Sequence, residues 1–547
     1  MSWQTHEVNN QYEELQDYNP FETDAALKEA VIHAGAGWAL PWLAEYGERL
    51  GRAETFELAA QANRFAPQLQ AFDRRGRRID RVDFHPSWHD LLALYRSQGL
   101  VSLPFDSERP GRWAAFLAGF YLHGQVEAGT LCPATMTQAA IPLLKREPAL
   151  WAQLGDKLLS REHDARDLPA ERKTAVWLGM GMTEKQGGSD VRSNTSTATP
   201  TGAGGRGGEY TLRGHKWFFS APMSDAHLVV AQLRDGGPSC FYVPRWRPDG
   251  SRNAVAIQRL KDKVGNRSNA SSEVEFHDAW GVLIGEPGRG IPTIIEMATY
   301  TRLSCVIGSA ALIRQGLVQA IAYAHRRVAF GKRLAEQPLM RAVLADLALE
   351  SEAALCLAAR LAEGFENDEP AWKRIVTPAA KFWVCKRAVE AAGETMEVFG
   401  GNGYVDDGPM ARLFREAPVN SIWEGSGNVM CLDVMRALQR EPEAWQRLQE
   451  ELAALAGGDR RLSAALADLR SMASLSPPQL EGLGRRFAQQ LALTVQGCLL
   501  RGRAPAAVAD GFIASRLADG LWGRVAGALD ARAAGADYLL ERALPAA

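Results

Sequence analysis

The sequence predicts an α+β fold in which helical blocks flank one small β domain, and three observations carry that prediction. Apolar residues recur at i, i+3 and i+4 over long stretches toward both ends of the chain. Between residues 176 and 285 the texture turns to short β-branched and aromatic runs separated by Gly, Pro, Asn and Asp. At 547 residues the chain also exceeds the roughly 250–300 at which a single core stops growing, so several domains must share it.

Residues 1–175 read as an N-terminal helical domain, periodic from about residue 24 and exemplified by Trp113-Ala-Ala-Phe-Leu-Ala-Gly-Phe-Tyr-Leu. Residues 176–285 form the β domain, with strands expected around Tyr210-Thr-Leu, His227-Leu-Val-Val, Cys240-Phe-Tyr-Val and Val274-Glu-Phe. The glycine-rich stretch 201–208 is expected to be a hairpin tip, because no strand–glycine–helix order and no Lys-Ser/Thr pair follows it. Helical periodicity resumes over 286–440, a second helical domain interrupted by Phe399-Gly-Gly-Asn-Gly-Tyr404. Residues 441–547, rich in Ala, Leu and Arg and broken at Ser476-Pro-Pro, are expected to form a separate C-terminal helical domain.

Composition narrows the function classes. Hydrophobic residues are 46% and charged residues 23%, an ordinary globular balance. A formal net charge of -2 provides no global field toward nucleic acid or an anionic membrane. The seven cysteines (Cys132, Cys240, Cys305, Cys356, Cys385, Cys431, Cys498) are scattered and include no C-x-x-C pair, a pattern suited to a reducing compartment. The first residues lack the basic start and apolar stretch of a signal peptide, and no run of about 18 apolar residues occurs, so a cytoplasmic, membrane-free protein is expected. Nucleotide G-x-G-x-x-G, P-loop, H-E-x-x-H and G-x-S-x-G patterns are missing. His85 and His89, four apart, offer two metal ligands at most; with no third nearby they are expected to serve surface or packing roles, and no metal is expected.

What remains is an ordered set of motifs. Met182-Thr-Glu-Lys-Gln-Gly-Gly-Ser-Asp-Val191 joins adjacent glycines, which permit close backbone approach, to the hydroxyls of Thr183 and Ser189. Gly214-His-Lys-Trp-Phe-Phe-Ser220 reads as a strand whose aromatics suit a planar cofactor and whose final hydroxyl suits a polar ring atom. Arg327-Val-Ala-Phe-Gly-Lys-Arg-Leu-Ala-Glu-Gln337 supplies a guanidinium for pyrophosphate, a stacking ring and an amide. After Glu397-Val-Phe-Gly-Gly-Asn-Gly-Tyr404 comes Ser421-Ile-Trp-Glu-Gly-Ser-Gly-Asn428, which sets one carboxylate, Glu424, between an aromatic ring and a glycine. Desolvation there would raise its basicity and make it a candidate general base.

In this order the motifs resemble the acyl-CoA dehydrogenase superfamily, whose hallmarks are T-E-x-x-x-G-S-D, G-x-K-x-W-I-T, R-x-x-F-G-x-x-x-x-x-Q, G-G-x-G-Y and Y-E-G-T-S. Lys261-Asp-Lys-Val-Gly-Asn-Arg-Ser-Asn-Ala-Ser and Pro418-Val-Asn-Ser-Ile-Trp-Glu-Gly-Ser-Gly-Asn-Val-Met-Cys-Leu-Asp are similar to its alkylation-response branch, over nearly the whole chain. The resemblance implies a helical, β-barrel, helical core with an extra C-terminal helical domain, FAD between the barrel and the second helical domain, and a tetramer built as a dimer of dimers. It implies that Met182, Thr183, Gly188, Ser189, Phe218, Phe219 and Ser220 lie at the flavin, with Ser189 also near the acyl-CoA channel. Arg327, Phe330 and Gln337, with Glu397, Gly400 and Gly401, would face the adenosine and pyrophosphate side, in part across a subunit interface. Ser426 and Asn428 take the places of the Thr and Gln that usually follow the base. Trp423, where a smaller or phenolic residue is usual, would narrow the acyl cavity and slow ordinary acyl-CoA turnover.

The implied chemistry is an oxidoreductase step in which Glu424 removes the proton α to a thioester while the β-hydride passes to the flavin. A second reading keeps the flavoprotein scaffold but gives it a DNA-associated role in the alkylation response, with little or no acyl-CoA turnover. Residues 441–547 hold 12 Arg and no Lys against 12 Asp plus Glu. Bulk charge there gives no support for DNA binding. The close pairs Arg460-Arg461, Arg485-Arg486 and Arg501-Gly-Arg503 would nonetheless suit phosphate contacts to duplex DNA if folding gathered them on one face.

Overall fold

Alternating branched and aromatic residues after position 176 produce a seven-stranded sheet: Leu178–Gly181, Thr197–Pro200, Glu209–Ser220, Ala226–Leu233, Gly237–Pro244, Val255–Leu260 and Ser271–Ile284. These come from a computed structural model that describes residues 5–517 and 535–544. Pairing runs from Thr197–Pro200 to Glu209–Ser220, Ser271–Ile284, Gly237–Pro244 and Ala226–Leu233, and from there back to Thr197–Pro200. The sheet therefore closes on itself as a barrel, which leaves few unpaired edges. Leu178–Gly181 is added in parallel to Ala226–Leu233, and Val255–Leu260 is added antiparallel to Ser271–Ile284. The barrel core is built from inward residues such as Leu212, Phe219, Val229, Phe241, Val274 and Phe276. Residues 201–208 are the hairpin tip the glycines predict, closed by the Gly205 amide donating to the Tyr210 hydroxyl.

A second hairpin lies where the sequence predicted only helices. Gln68–Phe72 pairs with Arg78–Asp83 around a turn in which Asp73 accepts the amides of Arg75 and Arg77 and Gly76 takes φ 76°. Val82 from this hairpin joins the barrel core, and Arg78 donates to the Ile257 carbonyl at 2.6 Å. Its strands are short and only half-buried, so a hydrophobic pattern read over longer windows passes over them.

By contact the described residues divide into two compact units interleaved along the chain. One, Glu54–Arg112 with Val126–Ser304, holds the barrel and the hairpin. In it His85 caps its own helix, accepting from the Ser87 amide, while His89 pairs with His163 at 3.0 Å. Among the described residues no group of His, Cys, Asp or Glu is disposed to hold a metal.

The other unit, Met1–Ala53, Trp113–Gln125 and Cys305–Ala547, is mainly helical among its described residues. Its bundle contains Pro338–Glu366, Thr377–Val398, Pro409–Ile422 and Gly427–Arg440. Helices beyond Arg440 pack onto that bundle through Gly484–Arg503, which lies against Pro338–Glu366, Thr377–Val398 and Gly427–Arg440. Ionic pegs fix them: Glu451 accepts from Arg360 and from the Trp372 indole, and Arg503 pairs with Glu363.

Candidate functional site

In the barrel unit, strand Leu178–Gly181 runs into the loop 182–190, and a buried ion pair shapes that loop. The Lys216 ammonium donates to Glu184 Oε1 at 2.7 Å and to the Val230 carbonyl at 2.7 Å, and both side chains are fully buried. Glu184 Oε2 accepts the Thr195 amide at 2.7 Å and the Gln186 side chain at 2.8 Å. Burial alone would push the Glu184 carboxyl up, but Lys216 and these donors hold it down at about 2. Burial lowers Lys216 to about 8, which still leaves it an ammonium at neutral pH. The Trp217 amide donates to the Thr183 carbonyl at 2.8 Å, so the loop lies against strand Glu209–Ser220. A Cβ on Gly188 would come 2.8 Å from Thr183 Oγ1; only glycine lets the loop fold over that hydroxyl.

The two phenylalanines of this strand have different fates. Phe219 belongs to the barrel core, 2% exposed and stacked at 3.7 Å on His227, whose buried ring is pushed down to about 3 and stays neutral. Its ring faces His227, so any cofactor contact there falls to the backbone. Phe218 is 52% exposed with the Lys261 ammonium 4.5 Å above its ring. Met182, Thr183 and Ser220 are half-buried; Gly188 and Ser189 are exposed.

In the helical unit, Glu424 sits in the turn between helices Pro409–Ile422 and Gly427–Arg440, half-buried, at φ 59° and followed by Gly425 at φ 104°. A non-glycine residue in this left-handed region costs on the order of 1 kcal/mol and persists where its surroundings over-determine it. Here Lys381, 1% exposed, donates to the carbonyls of Asn420 at 2.9 Å and Gly425 at 2.8 Å. The indole of Trp423, the residue before Glu424, donates to Asn420 Oδ1 at 3.0 Å. Ser426 is the N-cap residue of the following helix, and Asn428 accepts from Arg485 at 3.0 Å.

The remaining motif residues of this unit form a rim. Val328–Ala329 and Lys332–Arg333 make a tight hairpin with Phe330 at its tip, at φ 53° and 99% exposed. Arg327 donates to the Asn10 carbonyl, and Gln337 donates to the Ala329 carbonyl at 2.9 Å. Phe399 stacks on Tyr323 at 4.3 Å, which brings the glycine cluster to the helix end that leads into this hairpin. Gly400, at φ 59°, and Gly401 are exposed with open space where a Cβ would stand, and Glu397 is exposed beside Glu394.

The arginine pairs do not make one uniform basic face. Arg461 and Arg501 pair with Asp459, Arg501 also with Asp510, and Arg503 with Glu363. Arg460, Arg485 and Arg486 are exposed in the first turns of helices Arg460–Ala473 and Gly484–Arg503.

Sequence reasoning left Lys216, Glu184, Lys381 and Asn420 without roles. The lysines were detectable as cations on apolar faces: Lys216 shares its strand face with Tyr210 and Leu212, and Lys381 lies among Ala380, Val384 and Cys385.

Residues 10–165 match the family described as Adaptive response protein AidB N-terminal domain, residues 179–279 the Acyl-CoA dehydrogenase middle domain, and residues 288–439 the Acyl-CoA dehydrogenase C-terminal domain. The chain is 48% identical over 504 residues, 91% of each protein, to the Escherichia coli K12 protein named "Putative acyl-CoA dehydrogenase AidB". It is 31% identical to Caenorhabditis elegans acyl-CoA dehydrogenase family member 11 over 72% of this chain and 66% of that one. The solved Caenorhabditis elegans ACDH-11, in complex with C11-CoA, superposes with a TM-score of 0.83 at 26% identity, covering 93% of this chain and 92% of that one.

Proposed function

Because the chain belongs to the acyl-CoA dehydrogenase family, we propose that it is an FAD-dependent oxidoreductase acting on short or branched acyl-CoA thioesters, with Glu424 as the base. The observation that carries the reading is the left-handed turn at Glu424, a strained conformation held from both sides by Lys381.

The residues present fit FAD. On the barrel unit, the exposed Phe218 ring beside the half-buried Thr183 hydroxyl suits a flat heteroaromatic ring with polar edges. On the helical unit, the exposed Phe330 ring, the Arg327 guanidinium and the open backbone of Gly400 and Gly401 suit an adenosine and a pyrophosphate. Bound FAD supplies the two-electron acceptor for the β-hydride. In this reading Glu424 takes the α-proton, and its backbone amide donates to the thioester oxygen where enolate charge develops. Trp423, fixed by Asn420, bounds the acyl chain and sets the preference for compact acyl groups.

The exposed apolar side chains Phe330, Leu339 (86%) and Tyr404 (78%) are what a second copy would cover, and we assign a cytoplasmic homotetramer on that basis together with the scattered free cysteines. The test of the activity is anaerobic bleaching of the FAD-loaded protein by a panel of acyl-CoA thioesters from C4 to C11, linear and branched. Reduction by at least one member, lost in Glu424→Gln, is expected. A panel without effect, or a Glu424→Gln variant as fast as the parent, rejects the reading.

A DNA role in the alkylation response is favoured by one feature. Arg485 and Arg486 sit in the first turn of a helix that has no side-chain N-cap and no acidic residue in that turn, so helix dipole and guanidinium charge add. Duplex binding through them would weaken steeply with salt and with Arg485→Ala/Arg486→Ala, as read by fluorescence anisotropy.

A further inference from the structure

We propose that Lys381 is the positioning residue for the base: its buried ammonium fixes the turn that aims Glu424. The role assigned to Glu424 rests on the dehydrogenase reading, whereas the fixing of the turn is a property of the fold and is tested separately below.

Helix Thr377–Val398 turns Lys381 inward, among Ala380, Val384 and Cys385, and leaves it 1% exposed. An ammonium taken out of water costs several kcal/mol unless acceptors replace the lost hydration. Its acceptors are the Asn420 and Gly425 carbonyls, at 2.9 and 2.8 Å. Both carbonyls come from the segment that reverses the chain. Asn420 O lies in the last turn of helix Pro409–Ile422, where carbonyls have lost their intrahelical donors. Gly425 O lies one residue past the base. One cation thus ties the chain before Glu424 to the chain after it.

The tie has a conformational consequence. Between its two ends the backbone passes through φ 59° at Glu424 and φ 104° at Gly425. Glycine takes φ 104° freely, but φ 59° is not the resting state of an unconstrained glutamate, and Glu424 would relax to negative φ if the Gly425 carbonyl were released. That rotation swings the carboxylate and the Glu424 amide together, so the proton acceptor and the oxyanion donor would both be misplaced. The same cation places a positive charge in the shell of the base. The buried Cys305 thiol feels Lys381 and Glu424 in opposite directions, so both charges reach one small region. Lys386, from the same helix, adds a weaker tie to Ser421 Oγ at 3.4 Å.

The test compares Lys381→Met and Lys381→Arg, both loaded with FAD, by amide hydrogen exchange over residues 420–428 and by steady-state kinetics with whichever acyl-CoA of the C4 to C11 panel reduces the wild type. In Lys381→Met, exchange at the turn is expected to rise about tenfold or more. Its kcat is expected to fall about 100-fold with KM within about threefold, the signature of a misplaced group rather than of lost binding. Lys381→Arg keeps the donors and should restore protection and part of kcat. Unchanged exchange at 420–428 in Lys381→Met overturns the proposal, and that measurement stands even if no acyl-CoA is a substrate. Equal losses of kcat and thermal stability that Arg does not restore also overturn it. If Lys381→Met does not fold, a folded Lys381→Arg with an unprotected turn has the same effect.

Discussion

Replacing Glu184 by Gln removes one charge from a pair whose side chains are both at 0% exposure, without changing the side chain's shape. The Lys216 ammonium then keeps the Val230 carbonyl at 2.7 Å and the Met182 carbonyl at 3.3 Å but no counter-charge, and one corner of the introduced amide must present an NH2 group where either Lys216 or the Thr195 amide now donates. Breaking a buried pair by removing one partner costs about 3–5 kcal/mol. At about 2–4 °C per kcal/mol for a domain of this size, the barrel unit should melt roughly 10 °C lower. The damage should be local before it is global, because Glu184 anchors the loop that presents Thr183 and Ser189, and the affinity for FAD should fall with it. The pH dependence has a definite sign. Glu184 titrates at about 2 against an ordinary 4.5, so its contribution is present above about 4.5 and is lost as pH falls toward about 2. Glu184→Gln should flatten the acid limb of the melting profile over that interval. Circular dichroism melts between pH 7 and pH 3, with FAD titration at pH 7, measure both effects. A variant within 1 °C of wild type and with unchanged FAD affinity would refute the view that this pair organises the loop.

Gly179→Ala should destabilise the barrel by about 1–3 kcal/mol in urea unfolding, because the new Cβ would come 2.2 Å from the buried His227 ring, which cannot retreat while stacked on Phe219; an unchanged midpoint would show that the ring has room. His163 accepts the Trp177 indole N–H at Nδ1 and meets His89 at Nε2. Burial, with His89, Arg96 and Lys173 nearby and Asp164 opposing them, holds it down at about 3. Since the unfolded ring binds its proton near 6.5, wild-type stability should decline as pH falls from about 6.5 toward about 3, and His163→Gln should make that slope shallower, the buried His227 keeping its own share; parallel profiles for the two proteins would contradict it.

The α+β class is legible because long helical periodicity and short branched runs are separated cleanly along the chain, and barrel closure adds nothing that local pattern must supply. What local pattern could not supply is where a charge finds its partner. Glu184 and Lys216 are 32 residues apart, and Lys381 meets carbonyls 39 and 44 residues away; the last two acceptors are backbone atoms, which leave no trace in side-chain identity. Aromatic content alone likewise treats Phe218 and Phe219 as equals. A bulge between Lys216 and Phe219 decides between them: strict alternation from Leu212 and Lys216 would turn Phe218 inward, and the extra residue turns Phe219 inward instead, leaving Phe218 52% exposed. Before that bulge, alternation from Tyr210 and Leu212 places Lys216 on the core face, and helical phase places Lys381 there. A lysine whose periodicity points inward must have its acceptors supplied by the fold, since leaving it unpaired would cost several kcal/mol. In this chain the buried Lys216 and Lys381 secure two segments that the proposed chemistry needs held still: the loop bearing Thr183 and Ser189, and the turn bearing Glu424. Buried charge here serves geometry, and Glu424, the base in the proposed function, can keep a strained φ because Lys381 holds the turn around it.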